Sequence, residues 1–210
     1  MSLISFKKPI KNFIVLEGLD GCGTTTQTAL LVKKLEECGI KGYSTKEPTD
    51  GSIGRFIRSV LQKKESVDPF TLALLFSADR NEHVYGENGI IEQTQAGKMV
   101  VCDRYFFSSL AYQSLFIDYD TVGELNRFYP LPEYLFYIDL SPEECQARVE
   151  SRGEETELFE HLELQRKIDV NYKKSLSLLA ASEMKTVVID GRGSIEDIHN
   201  QICKALGLTA

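Results

Sequence analysis

The segment that decides the fold runs from residue 13 to residue 38 and reads FIVLEGLDGCGTTTQTALLVKKLEEC. It starts with the apolar run Phe13–Leu16, continues into a loop with three glycines, and ends in an amphipathic stretch. A strand, a glycine-rich turn and a helix N-terminus make an anion site, because the backbone N–H groups point inward and the helix dipole favours negative charge. The segment therefore predicts phosphate binding.

The loop matches the phosphate-loop pattern GxxxxGK[ST] at every position but one, since Thr24 replaces the lysine. Thr25 stands where a hydroxyl would reach Mg²⁺. An ammonium about 4 Å from a phosphate charge is worth about 4 kcal/mol at an effective dielectric near 20. If that contribution is specific to the transition state, its loss costs about a thousandfold in rate. We therefore expect nucleotide binding to survive the substitution better than catalysis.

Apolar runs alternate with amphipathic stretches along the rest of the chain. They lie at Phe13–Leu16, Met99–Cys102, Tyr134–Ile138 and Thr186–Ile189, with a weaker strand candidate at Gly42–Lys46. Runs that are hydrophobic on both faces are typical of central parallel strands. Strand–helix alternation predicts a three-layer α/β/α fold with a mostly parallel five-stranded sheet, in a single domain over residues 1–210.

Several helices have recognisable ends. Asp68 followed by Pro69 predicts a cap and a first-turn proline. Ser141 with Glu144 predicts a capping box, Ser194 caps the last helix, and Gly207 ends it.

Composition excludes several classes of protein. The net charge of −7 shows no basic excess for nucleic acid. The apolar runs are too short to span a bilayer. The five cysteines form no CxxC and no metal-ligand spacing with the three histidines, and scattered thiols fit a reducing cytoplasm. We expect a cytoplasmic protein that binds small molecules.

A second signal is the sequence VVCDRY at residues 100–105. Asp103, at the carboxyl end of a buried strand, is placed to hold magnesium together with Thr25. Arg104 beside it can bind a phosphate through two parallel hydrogen bonds.

With these pieces the sequence resembles the thymidylate kinase family, which belongs to the P-loop NTPase and kinase fold type. The resemblance covers nearly the whole chain, and the matching segments are GLDGCGTTTQ, TKEPTDGSIGRFIRSVL, LALLFSADRNEHV, DRYFFSSLAYQ, ARVESRG and DGRGSIEDI. It implies transfer of the γ-phosphoryl of ATP to dTMP with Mg²⁺, and a homodimer. It also implies a monophosphate-binding region at about 45–80 and a lid at about 148–162.

The resemblance implies roles for the residues around dTMP. Asp20 resembles the carboxylate that accepts the deoxyribose 3′-hydroxyl, and Tyr112 the ring that disfavours ribonucleotides. Lys46 stands in place of an arginine and, with Arg104, contacts the monophosphate. The thymine pocket is implied to consist of Phe76, which stacks on the base, together with Arg80, Ser109 and Gln113.

On the ATP side, the resemblance implies that Arg148 and Arg152 meet the adenine and triphosphate, and that Arg192 lies beneath the adenine. The loop residues expected to contact ATP are Gly18, Asp20, Gly21, Cys22, Gly23, Thr24, Thr25 and Thr26. Catalysis is assigned to Asp103, Arg104, Arg152 and Thr25. The helix N-terminus is expected to lower the pKa of the Cys22 thiol.

Two features depart from the family pattern and leave alternatives open. Some members carry an arginine inside the loop, where this chain has Cys22, and others carry extra arginines in the lid, which is acidic here at Glu154, Glu155 and Glu157. Phosphoryl transfer rests on positioning and electrostatics, so these changes matter. The alternatives are a weak or inactive nucleotide-binding paralogue, and a kinase for another deoxynucleoside monophosphate.

Overall fold

A computed structural model describes residues 7–151, 158–159 and 161–208. Its sheet has five strands in the order β2-β3-β1-β4-β5, and all four pairings are parallel. The strands are β1 Lys7–Gly18, β2 Gly42–Lys46, β3 Met99–Asp103, β4 Pro130–Asp139 and β5 Lys185–Asp190. The predicted sheet is confirmed, including its weakest strand.

Helices flank the sheet. In chain order they are α1 Thr24–Glu37, α2 Ser52–Leu61, α3 Pro69–Tyr85, α4 Ile90–Gln95, α5 Phe106–Tyr112, α6 Tyr119–Asn126, α7 Pro142–Glu150, α8 Leu162–Leu179 and α9 Ile195–Ala205. Phe13–Leu16 of β1 are at most 1% exposed. Successive strand residues point to opposite faces, so both faces of the sheet are covered and the α/β class is confirmed. None of the described helices has the length and apolar character needed to cross a membrane.

The predicted helix ends are largely correct. Asp68 accepts a hydrogen bond from the backbone N–H of Phe70, and Ser194 forms a complete capping box with Asp197. Gly207 has the left-handed φ of +70° that terminates α9. The capping box predicted at Ser141 is only half formed. The Ser141 hydroxyl accepts from the Glu144 backbone N–H at 3.3 Å, but the Glu144 carboxylate accepts from that hydroxyl at 2.6 Å in place of the Ser141 backbone N–H.

The parallel sheet brings the ends of its central strands to one edge. Asp103, the last residue of β3, is in register with Leu16 of β1 and Lys46 of β2. In open α/β sheets ligands bind beyond the carboxyl ends of the strands. The phosphate loop, Asp103 and Lys46 all lie at this edge.

Candidate active site

The loop after β1 depends on its glycines. Gly21 has φ +93° and Gly23, the N-cap of α1, has φ +104°, both in the left-handed region that favours glycine. A Cβ at Gly21 would lie 2.6 Å from the carbonyl oxygen of Cys145 in α7. The loop therefore packs directly against the backbone of α7.

Cys22 faces the interior. Its side chain is 1% exposed, and burial raises the pKa of the thiol to about 12. The prediction of a lowered pKa is wrong, because desolvation of the thiolate outweighs the effect of the helix N-terminus. The Cys22 carbonyl accepts a hydrogen bond from Arg148 Nη1 at 3.5 Å, and the thiol is hydrogen-bonded to the Thr24 backbone.

A cavity of about 760 Å³ opens beside the loop, and Gly21, Gly23, Thr24, Thr25 and Thr26 form part of its wall. Thr24 brings no charge. Five cationic side chains from other segments line the same cavity: Lys46, Arg58, Lys64, Arg80 and Arg104. Arg58 and Lys64 were not predicted. The same wall carries three carboxylates, Asp20, Glu47 and Asp103, so it keeps an excess of two positive charges beside the uncharged loop.

Thr25 and Asp103 are brought together as predicted. The Thr25 hydroxyl donates a hydrogen bond to Asp103 Oδ2. Asp103 Oδ1 is buried and has no hydrogen-bond partner among the described residues. A carboxylate oxygen left without a partner beside a loop hydroxyl fits Mg²⁺, which prefers oxygen ligands and binds proteins through one or two carboxylates plus phosphates.

Arg104 follows Asp103 and lies between the loop and α8. Its Nη2 donates to Asp20 Oδ1 at 2.7 Å, and its Nη1 donates to the Gly18 carbonyl at 2.9 Å. Nη1 also lies within hydrogen-bond distance of the Tyr112 hydroxyl. The structure therefore gathers Asp20, Tyr112 and Arg104 into one cluster on the cavity wall.

The residues predicted for the thymine pocket, and Tyr112 predicted beside the deoxyribose, share the same cavity: Phe76, Arg80, Ser109, Gln113 and Tyr112. Arg80 is 1% exposed. Its Nε and Nη2 donate to Glu47 Oε2 at 2.9 and 2.6 Å, Nη1 donates to Asn126 Oδ1, and Nη2 donates to Ser109 Oγ at 3.2 Å. These contacts use four of the five guanidinium N–H groups. Glu47 and Asn126 were missed, since a buried arginine signals a partner without identifying it.

A third missed residue comes from α8. Gln165 is buried, and its Nε2 donates to Asp20 Oδ2 at 3.1 Å and to the Phe159 carbonyl at 2.9 Å. The Phe159 ring packs edge-on against Tyr112 with centroids 5.4 Å apart, and Phe159 lines the cavity. No sequence signal distinguished Gln165 from other polar residues of an amphipathic helix.

The three arginines predicted on the ATP side do not lie together in the structure. Arg148 joins the phosphate loop to the Gly191 loop, donating from Nη2 to the Gly191 carbonyl at 3.0 Å. Arg192 has a side chain 72% exposed and pairs with Asp190 at 2.7 Å. Neither arginine is in the cavity wall. Arg152 lies outside the described residues.

A parallel sheet with a glycine-rich phosphate loop, a loop hydroxyl and a strand-end aspartate defines a P-loop nucleotide-binding protein of the α/β class. The sequence profile of the family described as thymidylate kinase matches residues 16–202. The chain belongs to the thymidylate kinase family.

Three relatives carry names that contain the words thymidylate kinase. The protein of Treponema pallidum (strain Nichols) is 43% identical over 197 residues, covering 92% of this chain and 93% of its own. The protein of Pyrococcus horikoshii is 41% identical over 196 residues, covering 90% and 93%. The protein of Methanococcus aeolicus is 38% identical over 200 residues, covering 94% and 96%.

Proposed function

We propose that this chain is a dTMP kinase that transfers the γ-phosphoryl group of ATP to dTMP, giving dTDP and ADP. The observation that carries the proposal is a single cavity lined both by the phosphate loop and by Phe76, Arg80, Ser109 and Gln113. The relatives named as thymidylate kinases support the same activity.

The acceptor end of the cavity is suited to a nucleoside monophosphate. Arg104, Lys46 and Arg58 bring three cations to its wall. Phe76 offers a ring on which a base can stack, and Arg80 retains one N–H group for a base carbonyl. The attacking phosphate oxygen is already anionic, so the reaction needs positioning and charge neutralisation rather than a strong base.

The donor end is suited to a triphosphate. The loop N–H groups and the start of α1 attract the phosphate oxygens, and Arg148 sits where the loop meets Gly191. Thr25 and Asp103 would hold Mg²⁺, which when bound neutralises charge on the β- and γ-phosphates. An acceptor oxygen then bonds to the γ-phosphorus as the bond to the β–γ bridging oxygen breaks, and ADP leaves.

The substitution at Thr24 is the observation that favours a binding protein without activity. Against it stands the charge of the cavity wall, where five cations, Lys46, Arg58, Lys64, Arg80 and Arg104, outnumber three carboxylates, Asp20, Glu47 and Asp103. Transition-state charge can be stabilised from any side that is held in place. We therefore infer an active enzyme whose rate is limited by the lysine-free loop.

The assembly and the compartment are part of the same proposal. We infer one domain over residues 1–210, with the monophosphate region at about 45–80 and the lid at about 148–162. Phe70 and Leu74 on α3, and Phe128 just after α6, are 44 to 55% exposed. Exposed apolar groups of this kind support a homodimer. All five cysteines are free thiols, which supports the cytoplasm.

The proposal predicts ADP release that depends on both dTMP and Mg²⁺. A coupled assay with ATP should show turnover stimulated by dTMP well above the rate with ATP alone. Parallel reactions with dUMP, dCMP and dGMP identify a different acceptor if one of them is faster. A flat trace with every acceptor at high enzyme concentration would refute kinase activity, and a ligand-induced rise in melting temperature would then identify a binding protein.

A further inference from the structure

Glu17, next to last in β1, is a buried carboxylate with no assigned role in nucleotide binding. It is 0% exposed. Its Oε1 accepts from the backbone N–H groups of Tyr105 at 2.7 Å and Ser108 at 3.2 Å. Its Oε2 accepts from the hydroxyls of Ser108 at 2.7 Å and Tyr172 at 2.8 Å. Burying a charged group costs free energy. A carboxylate that is kept in this position, beneath the site, is therefore a candidate for a functional role.

The two hydroxyls that donate to Glu17 also contact Arg104. Arg104 Nη1 donates to Tyr172 Oη at 3.1 Å and to Ser108 Oγ at 3.3 Å. Each hydroxyl has a single proton, and donating it to Glu17 leaves the oxygen lone pairs free to accept from the guanidinium. The two hydroxyl oxygens also lie 2.9 Å apart, and while both donate to Glu17 neither donates to the other, so both remain acceptors for Arg104.

Glu17 also holds the backbone around Arg104. Arg104 has φ +68°, a left-handed conformation that few non-glycine residues adopt. Such a conformation persists only where the surroundings hold it. Two hydrogen bonds do so here: Arg104 N–H donates to the Leu16 carbonyl at 2.9 Å, and the next N–H, of Tyr105, donates to Glu17.

Two carboxylates lie near the Arg104 guanidinium. Asp20 pairs with Nη2 at 2.7 Å and lines the cavity, whereas Glu17 lies behind the guanidinium and does not reach the cavity wall. In the part of the chain that the structure describes, the titratable groups that face Glu17 are Arg104, Tyr172 and Cys102, and Arg104 is the cation among them. Glu17 thus holds Tyr105 and Ser108 of the cavity wall directly, and Arg104 is the cation of that wall that it reaches through hydroxyl groups.

We propose that Glu17 is a positioning residue for the acceptor phosphate: through the Ser108 and Tyr172 hydroxyls it fixes the Arg104 guanidinium in the orientation that binds the monophosphate. This inference rests on the proposed function, since it assumes that Arg104 meets the phosphate of dTMP.

The test compares ligands with and without a phosphate. In Glu17→Gln the amide nitrogen can replace Oε2 at nearly the same size, but it donates hydrogen bonds, so the two hydroxyls lose their acceptor. We expect the calorimetric Kd for dTMP to rise roughly tenfold, as for one lost charge-assisted hydrogen bond, with the Kd for thymidine unchanged. The KM for dTMP should rise more than kcat falls. Tyr172→Phe removes one hydroxyl, so it should weaken the binding of dTMP by a smaller factor and leave the binding of thymidine unchanged.

Three results would overturn the inference. An equal loss of affinity for dTMP and thymidine would assign Glu17 to the fold alone. Effects of Glu17→Gln and Arg104→Lys that simply add would show that Glu17 does not act through Arg104. If the wild-type chain binds dTMP no more tightly than thymidine, both the proposed function and this inference are refuted. If Glu17→Gln does not fold, Tyr172→Phe provides the same comparison when it is measured alone and combined with Arg104→Lys.

Discussion

At the scale of the residue, Thr24 limits what the phosphate loop contributes to catalysis. Thr24→Lys should raise kcat for dTMP-dependent ADP release by roughly tenfold, less than the full value of a loop lysine because other cations already line the cavity. Gln201→Lys, at an exposed position on α9 that lies in neither cavity of the described residues, is the matched control. No gain from Thr24→Lys, or an equal gain from Gln201→Lys, would show that charge at residue 24 is not limiting.

Motif residues and their partners differ in how far the sequence predicts them. Phe76 and Arg80 were predicted to share a pocket, and the structure places them in one cavity. Glu47, Asn126 and Gln165 were not predicted, because which polar residue meets a buried group depends on how distant segments pack. The pKa of Cys22 was predicted wrongly for the same reason: the depth of its burial is not visible in the sequence.

At the scale of the element, the contact between the phosphate loop and α7 leaves no room for a side chain at Gly21. Gly21→Ala should destabilise the fold and weaken ATP binding, because the new Cβ meets the Cys145 carbonyl. Gly39→Ala is the control: Gly39 has φ +75° with nothing within 4 Å, so it carries only the left-handed cost of about 1–2 kcal/mol. Urea unfolding measures the stability of the two variants, and calorimetry measures their affinity for ATP. Equal losses of stability and affinity in the two variants would contradict a steric role for the contact.

The elements themselves were predicted well where they are hydrophobic on both faces. The runs at Phe13, Met99, Tyr134 and Thr186 became strands because a parallel sheet covered by helices buries such residues on either side. Gly42–Lys46 gave a weaker signal because β2 is an edge strand and half exposed. The first part of β1, from Lys7, was missed, since KKPIKN is mostly polar and pairs only with β4.

At the scale of the whole molecule, Glu17 makes stability depend on pH. Burial raises its pKa from 4.5 to about 7, so the folded state binds a proton more tightly than the unfolded chain. The resulting stabilisation is full below pH 4.5 and is lost as the pH rises through 7, an effect of about 3 kcal/mol. In urea unfolding, the free energy of unfolding of Glu17→Gln should therefore rise relative to that of the wild type between pH 5 and pH 8. A difference that does not change with pH would contradict the raised pKa.

The cations of the cavity wall also bear on how a nucleotide reaches this protein. The chain carries a net charge of −7, which from afar repels ATP and dTMP. At physiological ionic strength the Debye length is about 8 Å, so a phosphate at the cavity mouth senses mainly the groups around it. Lys46, Arg58 and Lys64 lie in that wall. An acidic protein thereby offers anionic substrates an attractive entrance while its remaining surface discourages them from binding elsewhere.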